Sequence, residues 1–103
     1  MSDILARIKR AVLAGRYAFS EKATTEMEAD SISALDVAES ILNAVAISKK
    51  IRSTSAQRKS RKEYLYVILS TNLDGLPIYT KGKLIRESGL ETYYFLISSK
   101  RAL

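Results

Sequence analysis

Residues 63 to 101 read EYLYVILSTNLDGLPIYTKGKLIRESGLETYYFLISSKR, and the fold turns on this stretch. EYLYVILST is β-branched and aromatic with both faces apolar, the pattern of a strand inside a sheet. NLDG follows with Asp74 and Gly75 placed for a turn. LPIYTKGKLIRE reads as the next strand, with Pro77 near its start or on an edge and Gly82 marking a bulge. SGL turns the chain again, and ETYYFLISSKR is the last strand. Alternation puts Tyr93, Phe95 and Ile97 on one of its faces and Tyr94, Leu96 and Ser98 on the other. Turns this short make the strands antiparallel neighbours.

The residues before this stretch follow a helical period. Ile4, Leu5, Ile8, Ala11 and Val12 recur on one face of a helix from Asp3 to Ala14, which Gly15 ends. Ser20 caps a short second helix, EKATTEMEAD, whose early Glu21 suits the helix dipole. Ser33 and Asp36 form a Ser-x-x-acid capping pair for a third helix, and Ile32 and Val37 have the spacing of a hydrophobic staple. Leu35, Ala38, Ile41, Leu42 and Val45 form its apolar stripe. AISKKIRST supplies a strand from about residue 46 to 52, and SAQRKSRK, polar and basic, reads as a loop. The expectation is an α+β fold spanning residues 1–103 as a single domain. N-terminal helices pack on one face of a three- or four-stranded antiparallel sheet. Leu35, Ile41, Leu42, Val67 and Leu69 are predicted to be core, and the second sheet face is left for solvent or a partner.

Composition narrows the chemistry. The 103 residues include no cysteine and no histidine, which removes disulfides, thiolates and the usual neutral-pH base and metal ligand. The carboxylates show no ligand spacing, so neither a metal nor a cofactor is expected. No apolar run approaches the ~20 residues of a membrane span. MSDILARIKRAVLAG has an interrupted apolar stretch and reads as an amphipathic helix rather than a signal peptide, so a cytoplasmic location is expected. The net charge of +6 is unevenly placed: +3 over residues 1–19, −5 over 20–43 and +8 over 44–103. An acidic helical part thus precedes a basic remainder suited to a polyanion, the alternative being a merely solvated surface.

The basic remainder is concentrated. Lys49, Lys50, Arg52, Arg58, Lys59, Arg61 and Lys62 occur with no acid among them, Lys81, Lys83 and Arg86 follow, and Lys100 and Arg101 close the last strand. Cations gathered on a sheet and its loop match the electrostatic footprint of phosphate binding. Lys50, Arg52, Arg58, Lys59, Arg61, Lys62, Lys81 and Lys83 are therefore the candidate RNA contacts. Tyr64, Tyr66, Tyr79, Tyr93 and Tyr94 offer flat faces to unstacked bases, although alternation commits about half of each strand to the core. RNA carries its own nucleophile, the 2′-OH, so cleavage asks a protein mainly to stabilise phosphorane charge and to help protons move. Lys and Arg do the first, and Tyr or a lysine neutralised by neighbouring cations does the second.

FSEKATTEMEADSISALDVAESILN, residues 19 to 43, resembles the opening of a small bacterial domain-of-unknown-function family related to the BrnT and MqsR toxins and, more distantly, to RelE-like ribonuclease toxins. That family runs aromatic or aliphatic, Ser/Thr, x, His-Ala, two residues, Arg/Glu-Met, then Ile-Ser/Thr-x-x-Asp/Glu-Val and a helix. Ala23, Glu26-Met27, Ile32-Ser33 and Asp36-Val37 fit, and Lys22 stands where the family carries histidine. IYTK (Ile78 to Lys81) and ISSK (Ile97 to Lys100) look like the paired strand motifs of MqsR-type toxins. There a tyrosine on one strand and a lysine ending the last strand serve RNA cleavage. The resemblance implies helices against an antiparallel sheet, with Lys22, Tyr79 and Lys100 as the catalytic set. The implied function is a toxin-like RNA-binding protein, in its fullest form a metal-independent endoribonuclease paired with a cognate antitoxin. The alternatives are a non-catalytic RNA-binding or regulatory domain, and a protein–protein module whose exposed sheet face or edge forms an oligomer.

Overall fold

The computed structural model describes residues 3–53, 63–87 and 91–103. Its element order is α1 (Asp3–Leu13), β1 (Tyr17–Phe19), α2 (Glu21–Asp30), α3 (Ala34–Asn43), β2 (Lys49–Arg52), β3 (Tyr64–Thr71), β4 (Pro77–Glu87) and β5 (Glu91–Arg101). The class is α+β. The sheet is larger than the sequence predicts and is mixed: five strands in the order β1-β5-β4-β3-β2. The difference is β1, the three residues Tyr-Ala-Phe, which lies parallel to β5 with Tyr17 opposite Tyr94 and Phe19 opposite Leu96. Three residues are too few to show a period. They are a strand because β5 offers an edge beside them. The expected strand over 46 to 52 is shorter, Lys49–Arg52. The SAQRKSRK loop and the SGL turn fall largely on residues 54–62 and 88–90, outside the described residues.

The helix boundaries follow the capping chemistry. Gly15, at φ +75°, ends α1 in a left-handed turn, with Gly15 N–H bonded to Val12 O and Arg16 N–H to Ala11 O. Ser20 Oγ accepts from Ala23 N–H to start α2, and Ser31 ends that helix at φ 55°. At α3 the capping box is complete: Ser33 Oγ accepts from Asp36 N–H, and Asp36 Oδ2 accepts from Ser33 N–H. Asp36 Oδ1 also accepts from Asn72 Nδ2. Asn72 Oδ1 in turn accepts from Asp74 and Leu76 N–H, so one carboxylate ties the start of α3 to the β3–β4 turn.

The helices cover one sheet face. Leu5, Ile8, Ala11 and Val12 of α1 and Val37, Ala38 and Ile41 of α3 bury against Tyr66, Ile68, Ile78, Tyr94 and Leu96. Ile32 and Val37, spaced as a staple, are both buried. Of the predicted core, Ile41 is fully buried and Val67 nearly so, but Leu35 (66 % exposed) and Leu69 (53 %) face outward, while Leu42 is half-buried against the core. Leu35 occupies the first turn of α3 on the side away from the sheet, and Leu69 lies on the strand face opposite Ile68. Val67 too stands apart from the helix-side cluster.

α2 sits at the sheet edge rather than over its face. β1 ends at Phe19, so β5 would continue with free edge donors. Glu26 Oε1 accepts from Ser99 N–H and Asp30 Oδ2 from Arg101 N–H. Two acids one helical turn apart thus replace the missing strand, which removes an edge open to pairing with another chain. Among the described residues no helix is long and apolar enough to cross a membrane.

Candidate nucleic-acid interface

β5 carries an irregularity that sets the geometry of the open face. Gly82 pairs with Leu96 and Lys81 with Ser98, leaving Ile97 as an extra residue. Before this bulge Tyr94 and Leu96 point at the helices. Beyond it Ser99 pairs with buried Thr80, and Lys100 pairs with Tyr79. A one-residue insertion exchanges the two faces of everything that follows. Uninterrupted alternation would put Lys100 on the Tyr94 side, under the helices. The bulge turns it to the open face instead. The side chain of Ser98, at the bulge, bends toward α2 and donates to Glu26 Oε1 at 2.7 Å.

Cross-strand partners share a face, and the register lists what the open face holds. Tyr79, Lys81, Lys83 and Ile85 come from β4, opposite Lys100, Phe95 and Tyr93 of β5 and Leu69 and Val67 of β3. Lys49 and Ile51 extend this face onto β2. Lys100 Nζ stands 5.3 Å from the centroid of the Tyr79 ring, a cation–π contact. The two residues singled out on separate strands are therefore direct neighbours. Lys81 lies one pleat further along, and Lys83, beyond it, is 4.0 Å from Glu63.

The remaining candidates divide. Lys50 and Arg52 pair with Tyr66 and Tyr64 and so belong to the helix-side face at the β2 edge. Lys50 Nζ lies 4.1 Å over the Tyr64 ring, remote in the sheet order from β5. Arg58, Lys59, Arg61 and Lys62 lie outside the described residues. Lys22 is an exposed residue of α2, with its ammonium 3.6 Å from Glu26 Oε2. Of the five tyrosines, Tyr66 and Tyr94 are core, and burial raises the pKa of both phenols.

Sequence reasoning missed the part Glu26 plays at this end of the sheet. Desolvation works to raise its pKa. Hydrogen bonds from the Ser98 hydroxyl and the Ser99 N–H, with the charges of Lys22 and Lys100, outweigh that and hold the carboxyl below its ordinary value. Glu26 thereby links Lys22 to the strand end that bears Lys100. The Lys22–Glu26 spacing of four is visible in the sequence as a helical ion pair, but the serine contacts required the bulge to be known. Among the described residues no group of three or more Asp or Glu side chains is gathered closely enough to hold a metal ion. Compared with models of protein families, with curated proteins and with solved structures, the chain matches none of them.

Proposed function

We propose that the chain is a toxin-like protein that binds RNA on its open sheet face and cleaves it there without a metal. The observation that carries this reading is the Tyr79–Lys100 pair, set side by side on a face that also presents Lys81 and Lys83. In the proposed reaction the 2′-oxygen of RNA attacks the adjacent phosphorus and the 5′-oxygen of the next nucleotide leaves, giving a 2′,3′-cyclic phosphate. The Lys100 ammonium stabilises the charge that develops on the phosphorane. The 2′-hydroxyl gives up its proton to solvent as its bond to phosphorus forms, and the Tyr79 hydroxyl, without a partner among the described residues, donates a proton to the departing 5′-oxygen and regains one from solvent. Lys81 and Lys83 hold flanking phosphates, and Lys22, steadied by Glu26, adds positive charge at the same end. The likeness to RelE- and BrnT-like toxins in the sequence motifs supports the reading, as do helices packed on one face of a sheet whose strands β2 to β5 run antiparallel, and a cognate antitoxin in the cytoplasm would complete the pair.

A second reading is favoured by the apolar side chains of the same face. Leu65, Leu69, Ile85 and Phe95, with Ile51 of β2, stand among its lysines, as in a surface that docks a protein or a second copy of the chain. Incubating the purified protein with RNA in a chelator separates the readings. Cleavage leaving cyclic-phosphate ends supports the nuclease. Salt-sensitive retention without cleavage supports a non-catalytic RNA-binding domain. Absence of retention even at low salt refutes both and leaves the docking module.

A further inference from the structure

At the other end of β5, roughly 25 Å from Lys100 at ~3.3 Å per strand residue, a cleft of about 160 Å³ opens beside α1. Arg7, Arg10, Ala11, Arg16 and Thr92 line it. Arg7 and Arg10 rise from consecutive turns of α1, and Arg16 follows the Gly15 turn. Arg16 is held in place: its Nε donates to Thr92 O at 3.1 Å, and its own carbonyl accepts from Tyr94 N–H. Arg86, opposite Thr92 in the sheet register, brings a further guanidinium to that face. Among the described residues the ion pairs are Lys22–Glu26 and Lys83–Glu63, so no described carboxylate neutralises this group. Even Asp3, one turn before Arg7, makes no ion pair with it.

Three arginines line one small concavity, and a cleft lined by one sign of charge concentrates counter-ions. Guanidinium is planar and matches phosphate oxygens two at a time. We propose that this cleft binds a phosphate monoester dianion. The volume is below the ~300 Å³ at which pockets enclose a whole small ligand, so it admits the phosphate group and leaves the rest of the molecule outside. Donors from three separate arginines suit the three free oxygens of a monoester better than the two of a phosphodiester within a chain. The inference does not rest on the nuclease reading, since neither Tyr79 nor Lys100 takes part.

The test is calorimetric titration of the protein with inorganic phosphate against chloride of equal ionic strength, near pH 7.5, with Arg10→Gln and Arg101→Gln as variants. Arg10 is exposed and its side chain makes no described hydrogen bond or ion pair, so its replacement leaves the fold in place. Specific phosphate binding, weakened at least tenfold in Arg10→Gln and unchanged in the charge-matched Arg101→Gln, is expected. Binding should also weaken as the pH is lowered and the dianion takes up a proton. A short 5′-phosphorylated oligoribonucleotide binding more tightly than its 5′-hydroxyl counterpart would assign the phosphate to a polynucleotide end. Equal binding of the two, with inorganic phosphate still bound, would assign it to a free phosphorylated small molecule. Phosphate binding no better than chloride, or Arg10→Gln binding as well as the wild type, overturns the proposal.

Discussion

Gly82→Ala probes the bulge that orients Lys100. A Cβ at position 82 would stand 2.6 Å from Tyr94 Cζ, 2.8 Å from Cε2 and 2.9 Å from the Phe95 carbonyl oxygen. Each is inside van der Waals contact. The Tyr94 ring cannot withdraw freely: it is fully buried in the helix-side cluster, and its hydroxyl reaches Tyr66 O at 3.5 Å. Overpacking of this kind costs about 1–3 kcal/mol. Against it, replacing glycine by alanine restricts the unfolded chain and stabilises by about 0.4–1 kcal/mol. The clash wins by about 1–2 kcal/mol, which lowers the thermal midpoint by roughly 5–15 °C for a domain of this size. Thermal and urea unfolding followed by circular dichroism measure it. In a Tyr94→Leu background the ring atoms are gone, and the same substitution should cost less, by a coupling of about 0.5–3 kcal/mol. Tyr94→Phe keeps Cζ and Cε2 and should give no relief. A Gly82→Ala protein as stable as the wild type, or a cost independent of residue 94, would refute the packing described for the bulge.

Ile41→Ala should destabilise by about 2–5 kcal/mol, transfer plus cavity, whereas Leu35→Ala, at an exposed position of the same helix, should stay within about 0.5 kcal/mol; urea midpoints compare the two. Glu26 and Asp36 have folded pKa values below their ordinary values of 4.5 and 3.8. Their contribution to stability is therefore complete above those values and is lost as pH falls through the lower folded ones, so unfolding midpoints measured from pH 6 down should fall less steeply in Glu26→Gln than in wild type. On the RNA-binding reading, Lys81→Ala and Lys83→Ala should each reduce the salt slope of RNA affinity by about one unit, with a smaller effect at Lys83 where Glu63 already shares the charge.

The helices were legible because caps are local. Ser20, Ser33 with Asp36, and Gly15 each announce an end through a side chain or a backbone preference acting within four residues. The central strands were legible from the β-branched run at 64–71 and the Asn72–Gly75 turn. β1 was not, because three residues carry no period and its pairing partner lies more than seventy positions away. Gly82 marks the bulge, but the extra residue is Ile97 on the neighbouring strand, so alternation read straight through β5 keeps Ser98 on the face of Tyr94 and Leu96 and gives no means of turning Lys100 to the other. The basic run at 49–62 read as one patch; pairing splits it, since Lys49 faces the open side while Lys50 and Arg52 face the helix side. The meeting of Tyr79 and Lys100 is a fact of register, which a single sequence shows only through a resemblance.

The most direct measurement is cleavage of RNA in chelator by wild type, Lys100→Ala and Arg101→Ala. Both substitutions remove one cation from the end of β5, but Lys100 lies beside Tyr79 on the open face while Arg101 pairs with Ile78 on the other. The account predicts cleavage by wild type, a loss of about 10²–10³-fold in Lys100→Ala, as when a preorganised charge donor is removed, and near-normal rates in Arg101→Ala. No cleavage by wild type, or an equal small loss in both variants, would contradict it.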